Sequence, residues 1–405
     1  MNGEIATGFF REGTEVLFVR RDGATEDRWD AVSVPTDETE TDPKRLIDTV
    51  GCSESVRLVR DGEPIDVGEG DTRRTIRPYL FECDTREIAP GDRIGGHEWL
   101  QPPEMLDRAT VGELWQAYLA VAPSVRTVET DTEHGASFVS LRALEVLRDS
   151  AAVAVASGER YDSVAATARK LCSARPSMGV IATRIDRVMA RAERTSASIL
   201  DRAISACKEA VEADQAAAER AASFLGDRVF TLSRSGTVHS ALEAARPASV
   251  FVAESRPARE GIDTAERLAD AGLETTVLVD AAIEEVITER DIDTVLVGAD
   301  TVLEDGSVVN KIGTQTAVRA ARAARIDSYV VCSQDKIAPE TTFDPEFGSA
   351  ETVYDGDGDL EVHNPTFERV PPSALSSIIT EEGVYAPSAI EPIANEHRSL
   401  REWRE

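Results

Sequence analysis

The chain has 405 residues, 41% of them apolar, enough for more than one hydrophobic core and too many for a disordered polymer. Its 74 acidic against 44 basic side chains leave a net charge of -30, spread along the whole length, which excludes non-specific binding to DNA and docking on an anionic membrane. No apolar run approaches the length of a bilayer-spanning helix, no signal-peptide pattern opens the sequence, and Cys52, Cys83, Cys172, Cys207 and Cys332 are scattered without a CxxC pair, so a soluble, reducing cytoplasm is the expected setting.

Three blocks follow in order. Residues 1–106 alternate short apolar runs (EVLFVRR, WDAVSV, SVRLVRD, RPYLFEC) with polar turns such as RDG and DGEP, the pattern of a small mixed or antiparallel sheet. The PPE at 102–104 marks the boundary. Residues 107–223 are Ala-rich with apolar positions at helical spacing, as in FVSLRALEVLRDSAAVAVA and SILDRAISACKEAVEADQAAAERAASFL, which predicts a helical domain; Cys172 and Cys207 read as packing residues within it. Residues 224–405 change rhythm to strand, loop, helix: DRVFTL, ASVFVAES, ETTVLVD, DTVLVGAD and DSYVVCS are separated by helical segments. That alternation predicts a mainly parallel, Rossmann-like sheet covered on both faces, with ligand loops at the carboxyl ends of its strands. TLSRSGTV (231–238), ESRPAREG (254–261) and GADTVLEDG (298–306) should then share one rim.

Those loops carry the chemistry. Asp300 ends an apolar run, where a carboxylate orients a substrate hydroxyl, moves a proton or simply caps the loop. Asn310, Lys311, Gly313 and Thr314 set a donor, a cation and a flexible turn before a helix, suited to phosphate. Arg256, ahead of Pro257, either clamps a phosphate bidentately or joins Glu254 in a surface turn. Earlier in the chain, HGAS (134–137) offers a glycine for close backbone approach, and SARPSMG (173–179) places Arg175 before a proline as Arg256 is placed. His134 reads as an exposed polar residue and Met178 as a packing one.

Taken in order, HGASFVSLRALEVL, RPSMG, TLSRSGTV, ESRPAREG, VGADTVLEDGSVVNKIGT, YVVCSQDKIAP, NPTFERVPPSALSSIITEEG and APSAI resemble the family that contains the alpha, beta and delta subunits of translation initiation factor 2B, ribose-1,5-bisphosphate isomerase and methylthioribose-1-phosphate isomerase, over residues 110–393. The resemblance implies a helical domain followed by a Rossmann-like domain, with dimers or larger homo-oligomers formed through the latter, and no cofactor. Its isomerases turn an aldose 1-phosphate into a ketose phosphate with a cysteine and an aspartate. Residue by residue, Asp300 matches that aspartate. Gly135 and Ala136 match a glycine-containing loop, with His134 where an arginine is usual. Arg175 matches a sugar-phosphate-binding arginine, Ser235 and Gly236 the loop after the cysteine, Asn310 and Lys311 the segment holding substrate, and Lys336 the lysine closing the far phosphate site. The cysteine itself falls at Ser233, preceded by Leu232 in place of the usual histidine. A thiol is far easier to deprotonate than a serine hydroxyl, and no sequence neighbour of Ser233 could activate it, which leaves only a base supplied by folding.

Residues 1–106 resemble a Nudix domain through VLFVRRDGATEDRWDAVSVPTDETETDPKRLIDTVGC and PYLFECDTREIAPGDRIGGHEWLQPPEML, which implies an α/β/α layer structure. The Nudix reaction needs several glutamates on one helix to hold Mg²⁺; here KRLIDTVG (44–51) carries only Asp48 at such positions, so neither hydrolysis nor bound Mg²⁺ is expected. The even spread of carboxylates and the scarcity of lysine beside arginine resemble proteins of halophilic archaea. The expected function is therefore that of a regulatory or assembly protein with a retained sugar-phosphate or nucleotide cleft and room for a protein partner; the alternative is an aldose–ketose isomerase acting on ribose 1,5-bisphosphate or a similar sugar 1-phosphate.

Overall fold

The computed structural model describes residues 4–21, 28–36, 42–51, 56–67, 74–89 and 94–405, so Cys52 and parts of the Nudix-like stretches lie outside the described residues. The chain packs as two compact units, Met1–Thr127 with Glu145–Val164 and Arg194–Cys207, and Val128–Leu144 with Ala165–Glu193 and Lys208–Glu405. These units cut across the three sequence blocks, because residues of the long helices Ala136–Ser157, Tyr161–Ala174 and Ser196–Ala222 are divided between them. Periodicity in a sequence says that a helix buries a face; it does not say against what.

In the first unit the apolar runs form a mixed sheet ordered Trp29–Asp30, Glu15–Arg21, Glu4–Glu12, Arg74–Cys83, Val56–Asp61, with three further short strands attached. Glu4–Glu12 runs parallel to Arg74–Cys83, and the remaining pairs are antiparallel. Side chains alternate between faces along each strand. Phe10, Tyr79 and Phe81 meet Leu46 and Val50 of helix Asp42–Val50, while Phe9, Phe18 and Leu80 meet Leu114, Ala117, Tyr118 and Val121 of helix Leu114–Val121. A sheet with a helix on each face results, and no feature of it specifically marks a Nudix domain. Asp48 is exposed on the helix Asp42–Val50.

The second unit carries a seven-stranded sheet in the order Thr275–Leu278, Ser249–Ala253, Arg228–Leu232, Thr294–Val297, Asp327–Val331, Ser377–Ile379, Val384–Tyr385. All neighbouring pairs are parallel except the last. In chain order the six parallel strands run 3-2-1-4-5-6, the doubly wound arrangement, and both faces are buried. Val229, Val250, Val252 and Leu296 pack with Val238, Leu242, Ala265 and Leu268, whereas Phe230, Leu232, Val295 and Val297 pack with Ile283, Ile287, Ala317 and Val318. A small antiparallel sheet of Thr301–Val302, Val308–Lys311 and Phe367–Val370 adjoins it in the chain. The order of the strands reverses between Arg228–Leu232 and Thr294–Val297. In open α/β sheets the crevice outside the carboxyl ends of the two strands at such a reversal is where ligands bind, and the two segments that leave it are Ser233–Gly236 and Gly298–Asp300.

Candidate active site

Ser233 follows the last residue of its strand with φ +62°. A non-glycine residue in the left-handed region costs free energy and persists only when its surroundings hold it there. Here the Ser233 N–H donates to Ser255 Oγ at 2.7 Å, and its carbonyl accepts from Thr264 Oγ1 at 2.8 Å. Ser255 is itself left-handed at φ +60°, buried, and tied through its N–H to Asp280 Oδ1 at 2.8 Å. These bonds lock the turn so that the Ser233 hydroxyl points at a carboxylate: Oγ donates to Glu260 Oε2 at 3.3 Å.

Glu260 opens the helix Glu260–Asp270, and the next residue explains how it comes so close. A Cβ on Gly261 would stand 1.9 Å from the Ala253 carbonyl oxygen, so only glycine lets the helix start against the end of its strand. On its other oxygen, Oε1, Glu260 accepts from Lys311 Nζ at 2.9 Å. Lys311 is buried, with its ammonium 5.3 Å from the Phe367 ring centre, and its carbonyl accepts from Thr314 Oγ1 at 2.6 Å. Asn310, also buried, donates through Nδ2 to the same Thr314 hydroxyl at 3.0 Å.

Asp300 is partly buried at the end of the neighbouring loop, with its N–H on the Val309 carbonyl at 3.0 Å. Burial pushes its carboxyl up from the usual carboxylate range, Lys336 and Lys311 pull it back, Glu260 adds a further push upward, and the Ala136 N–H bonds the charged form. Lys336 Nζ is buried against the Ala299 carbonyl at 2.6 Å, one residue from Asp300. The helix Ala136–Ser157 thus starts on Asp300, and the preceding Gly135 lies close to the Arg234 carbonyl: a Cβ built there would be 3.9 Å from it. Ser235 caps the helix Gly236–Ala245, its Oγ accepting from the Val238 N–H at 3.4 Å; Gly236 is exposed.

Ser233, Asn310, Lys311, Asp300, Ala136 and Lys336 are therefore linked through hydrogen bonds or charge. Two sequence-marked arginines are placed differently. Arg175 donates to the Asp131 carbonyl, and the exposed Arg256 is anchored by its backbone N–H on Asp280 Oδ2 at 2.6 Å. His134 stacks on Phe138 with ring centres 4.0 Å apart and is bonded to Asp131 at 2.9 Å. Neither Cys332 nor Cys172 is poised to replace the thiol at Ser233: Cys332 is fully buried and burial pushes its thiol up to about 12, and Cys172 is likewise pushed up to about 12. The residue that sequence reasoning missed is Glu260. Its signal was a carboxylate followed by glycine at the start of the helix after a parallel strand.

Comparison with known proteins bears on this geometry. Residues 132–387 match the model of the initiation factor 2 subunit family. The chain belongs to that family. Over 298 residues it is 32% identical to the ribose 1,5-bisphosphate isomerase of Haloferax volcanii, covering 67% of this chain and 91% of the relative. With the ribose 1,5-bisphosphate isomerase of Haloterrigena turkmenica it shares 29% identity, covering 68% of this chain and 94% of that one. Among solved structures, the 5-methylthioribose 1-phosphate isomerase of Pyrococcus horikoshii is similar in fold, with a TM-score of 0.56, 20% identity, and coverage of 76% of this chain and 91% of that one. The translation initiation factor eIF-2B of the same organism has a TM-score of 0.56 at 24% identity, covering 65% of this chain and 95% of the other. The fold over about two thirds of the chain is thus one shared with a methylthioribose-phosphate isomerase and an initiation factor.

Proposed function

We propose that this family member is an aldose–ketose isomerase of a ribose-1,5-bisphosphate-like sugar 1-phosphate. The observation that carries the reading is the setting of Asp300: a carboxylate raised by burial, held between two buried ammonium groups and a helix N-terminus at the point where the strand order reverses. The isomerase relatives named above cover nine-tenths of their own length on this chain, which weighs this reading above that of a regulatory protein. In the reaction the C1–O4 bond of the sugar breaks as O4 takes a proton, the C2 hydrogen moves with its electron pair to C1, and the C2 hydroxyl gives up its proton to leave a ketone. Every atom stays in the molecule, so an acid and a base suffice and no cofactor is needed. Asp300 moves one of these protons.

Phosphate recognition falls to the groups around it. Lys311 and Asn310 supply a cation and a donor, and Gly135 leads into a 22-residue helix, begun by Ala136, whose N-terminus favours an anion. Two hydroxyls from the same motifs, Ser137 Oγ and Ser177 Oγ, are buried with no hydrogen-bond partner among the described residues, as expected of groups kept for a ligand. Lys336, Ser235 and Gly236 complete the proposed cleft, and Arg175 and Arg256 join it by turning their guanidinium groups from their present settings toward the phosphates. The first unit, Nudix-like in our reading but without hydrolysis, serves as an accessory; the protein works in a salt-rich cytoplasm and assembles as a homodimer or larger homo-oligomer through the Rossmann-like part.

Ser233 in place of the thiol is the one observation that favours the other reading, a phosphosugar- or nucleotide-binding regulator. The two separate by incubating the protein in concentrated KCl with ribose 1,5-bisphosphate and following phosphorus and carbon NMR. Ketose from the wild type and none from Asp300→Asn supports the isomerase. Shifted ligand signals without turnover support the regulator instead.

A further inference from the structure

We propose that Glu260 is the proton acceptor behind Ser233, and that the buried chain Ser233–Glu260–Lys311 takes over the work that a thiol does alone. The proposal rests on the isomerase reading of the cleft. Its basis is geometric. A serine hydroxyl by itself is too weak an acid to exchange protons near neutral pH, but a hydroxyl that donates to a carboxylate can pass its proton along while accepting another. Ser233 Oγ makes that bond to Glu260 Oε2 at 3.3 Å, and the second carboxylate oxygen is held by the Lys311 ammonium at 2.9 Å. The ion pair fixes the carboxylate, leaving Oε2 free to face the hydroxyl. Three separate devices support this aim: the left-handed turn at Ser233, the Ser255 hydroxyl under its N–H, and the absence of a side chain at Gly261. Backbone strain spent to point a hydroxyl at a carboxylate is hard to account for as packing.

The protons then balance. The C2 hydroxyl gives its proton to Ser233 Oγ as the Ser233 proton passes to Glu260. The C2–H electron pair forms the new C1–H bond, and the C1–O4 pair leaves on O4, which takes its proton from Asp300. Solvent returns the proton from Glu260 to Asp300 for the next turnover. Other charges near Glu260 are Lys311 on the small sheet, Asp300 beside the switch point with Lys336 acting on it in turn, Asp263 one turn along its own helix with Arg234 at 3.4 Å, and the Arg259–Glu254 pair at 3.3 Å.

The test compares wild type, Glu260→Gln, Glu260→Asp and Ser233→Ala on ribose 1,5-bisphosphate across pH. In a second arm it measures iodoacetamide labelling at position 233 in Ser233→Cys with and without Glu260→Gln. We expect Glu260→Gln to lower kcat at least about a hundredfold, with KM little changed and the acidic limb of the rate profile gone, and Glu260→Asp to restore part of the rate with that limb. Removing the carboxylate should also speed labelling at position 233 roughly tenfold at pH 7, since a neighbouring negative charge opposes thiolate formation. An active wild type with Glu260→Gln within threefold of it and an unchanged pH profile overturns the proposal while leaving the isomerase reading intact. A wild type that turns over no sugar overturns the isomerase reading, and the labelling arm then decides alone: a tenfold change upholds the Ser233–Glu260 couple, and no change refutes it.

Discussion

Both units bury charge, and one network in each serves an opposite end. In the first, Arg148 is fully buried and donates to Asp149 at 2.8 Å, to Tyr118 Oη at 3.0 Å, to the Thr14 carbonyl at 3.0 Å and to Gln101 at 2.8 Å, while Tyr118 donates to Asp149 at 3.0 Å. Arg11 is likewise held by Glu82 and Glu145. The guanidinium of Arg148 ends on protein acceptors, which is how an internal brace is built. In the second, Lys336, Lys311, Glu260 and Asp300 lie together around a left-handed turn and beside hydroxyls that have no partner among the described residues. Buried charge that is fully answered holds a fold together; buried charge left partly unanswered awaits a ligand.

The largest effect that would break this contrast concerns the brace. Arg148→Met leaves Asp149 buried without its cation, and truncating one member of a buried pair costs about 3–5 kcal/mol. Urea unfolding in concentrated KCl should show that loss, while ribose 1,5-bisphosphate shifts the NMR signals of the folded fraction as it does in wild type. A variant that keeps its unfolding midpoint and loses the ligand shifts would reverse the roles assigned to the two networks.

A pH effect comes next, from a carboxyl in the second unit that accepts from the Gln334 N–H at 2.8 Å. Burial pushes Glu381 up to about 7 from an ordinary 4.5, with Asp335 and Asp214 adding to the rise and the Gln334 N–H opposing it. A carboxyl raised on folding binds more protons in the native state than in the unfolded chain. Its contribution to stability is thus complete below the unfolded value and fades as pH rises through 7. Between pH 5 and pH 8 the wild type should lose about 2–3 kcal/mol relative to Glu381→Gln, read from paired denaturation curves. Parallel curves for the two proteins would remove Glu381 from the account.

Much of the second unit could be read from the chain. Runs such as VFVA and VLVG are buried on both faces and announce themselves without regard to partners, and Asp300 stands out because it ends one. Ser233 was found as a position, and its weakness as a lone hydroxyl was plain. What could not be read was Glu260, since the contact that gives it meaning joins residues 27 apart through a helix start and a glycine. Among the sequence neighbours of Ser233 no group could activate it. The division into two units was hidden for the same reason, because it depends on which helix faces meet and not on their periodicity.

Gly261→Ala tests that helix start, with a smaller cost and a more specific readout. The added methyl would meet the Ala253 carbonyl, so the helix must back away, at about 1–3 kcal/mol for a forced shift of this kind. Glu260 moves with it. Turnover should then fall further than stability alone explains, in the same pH-dependent way as for Glu260→Gln. A variant that loses stability and keeps its rate would mean that the precise seat of Glu260 does not matter.

The smallest effect sets the baseline. Arg160 and Asp162 pair at 3.3 Å on the surface of the first unit, where their side chains remain 87% and 77% exposed. Such a pair contributes at most about 0.5 kcal/mol, and concentrated salt screens even that, because the Debye length falls to about 3 Å at 1 M. Arg160→Ala should leave the urea midpoint unchanged in concentrated KCl and lower it slightly, if at all, in dilute buffer. With a net charge of -30, however, the whole chain should lose stability as KCl is withdrawn, through repulsion that no single pair accounts for. If Arg160→Ala and wild type fall together on dilution, that loss belongs to the distributed charge. If the variant falls much faster, surface pairs carry more of this fold than burial suggests, and the distinction between answered and unanswered charge has to extend beyond the interior.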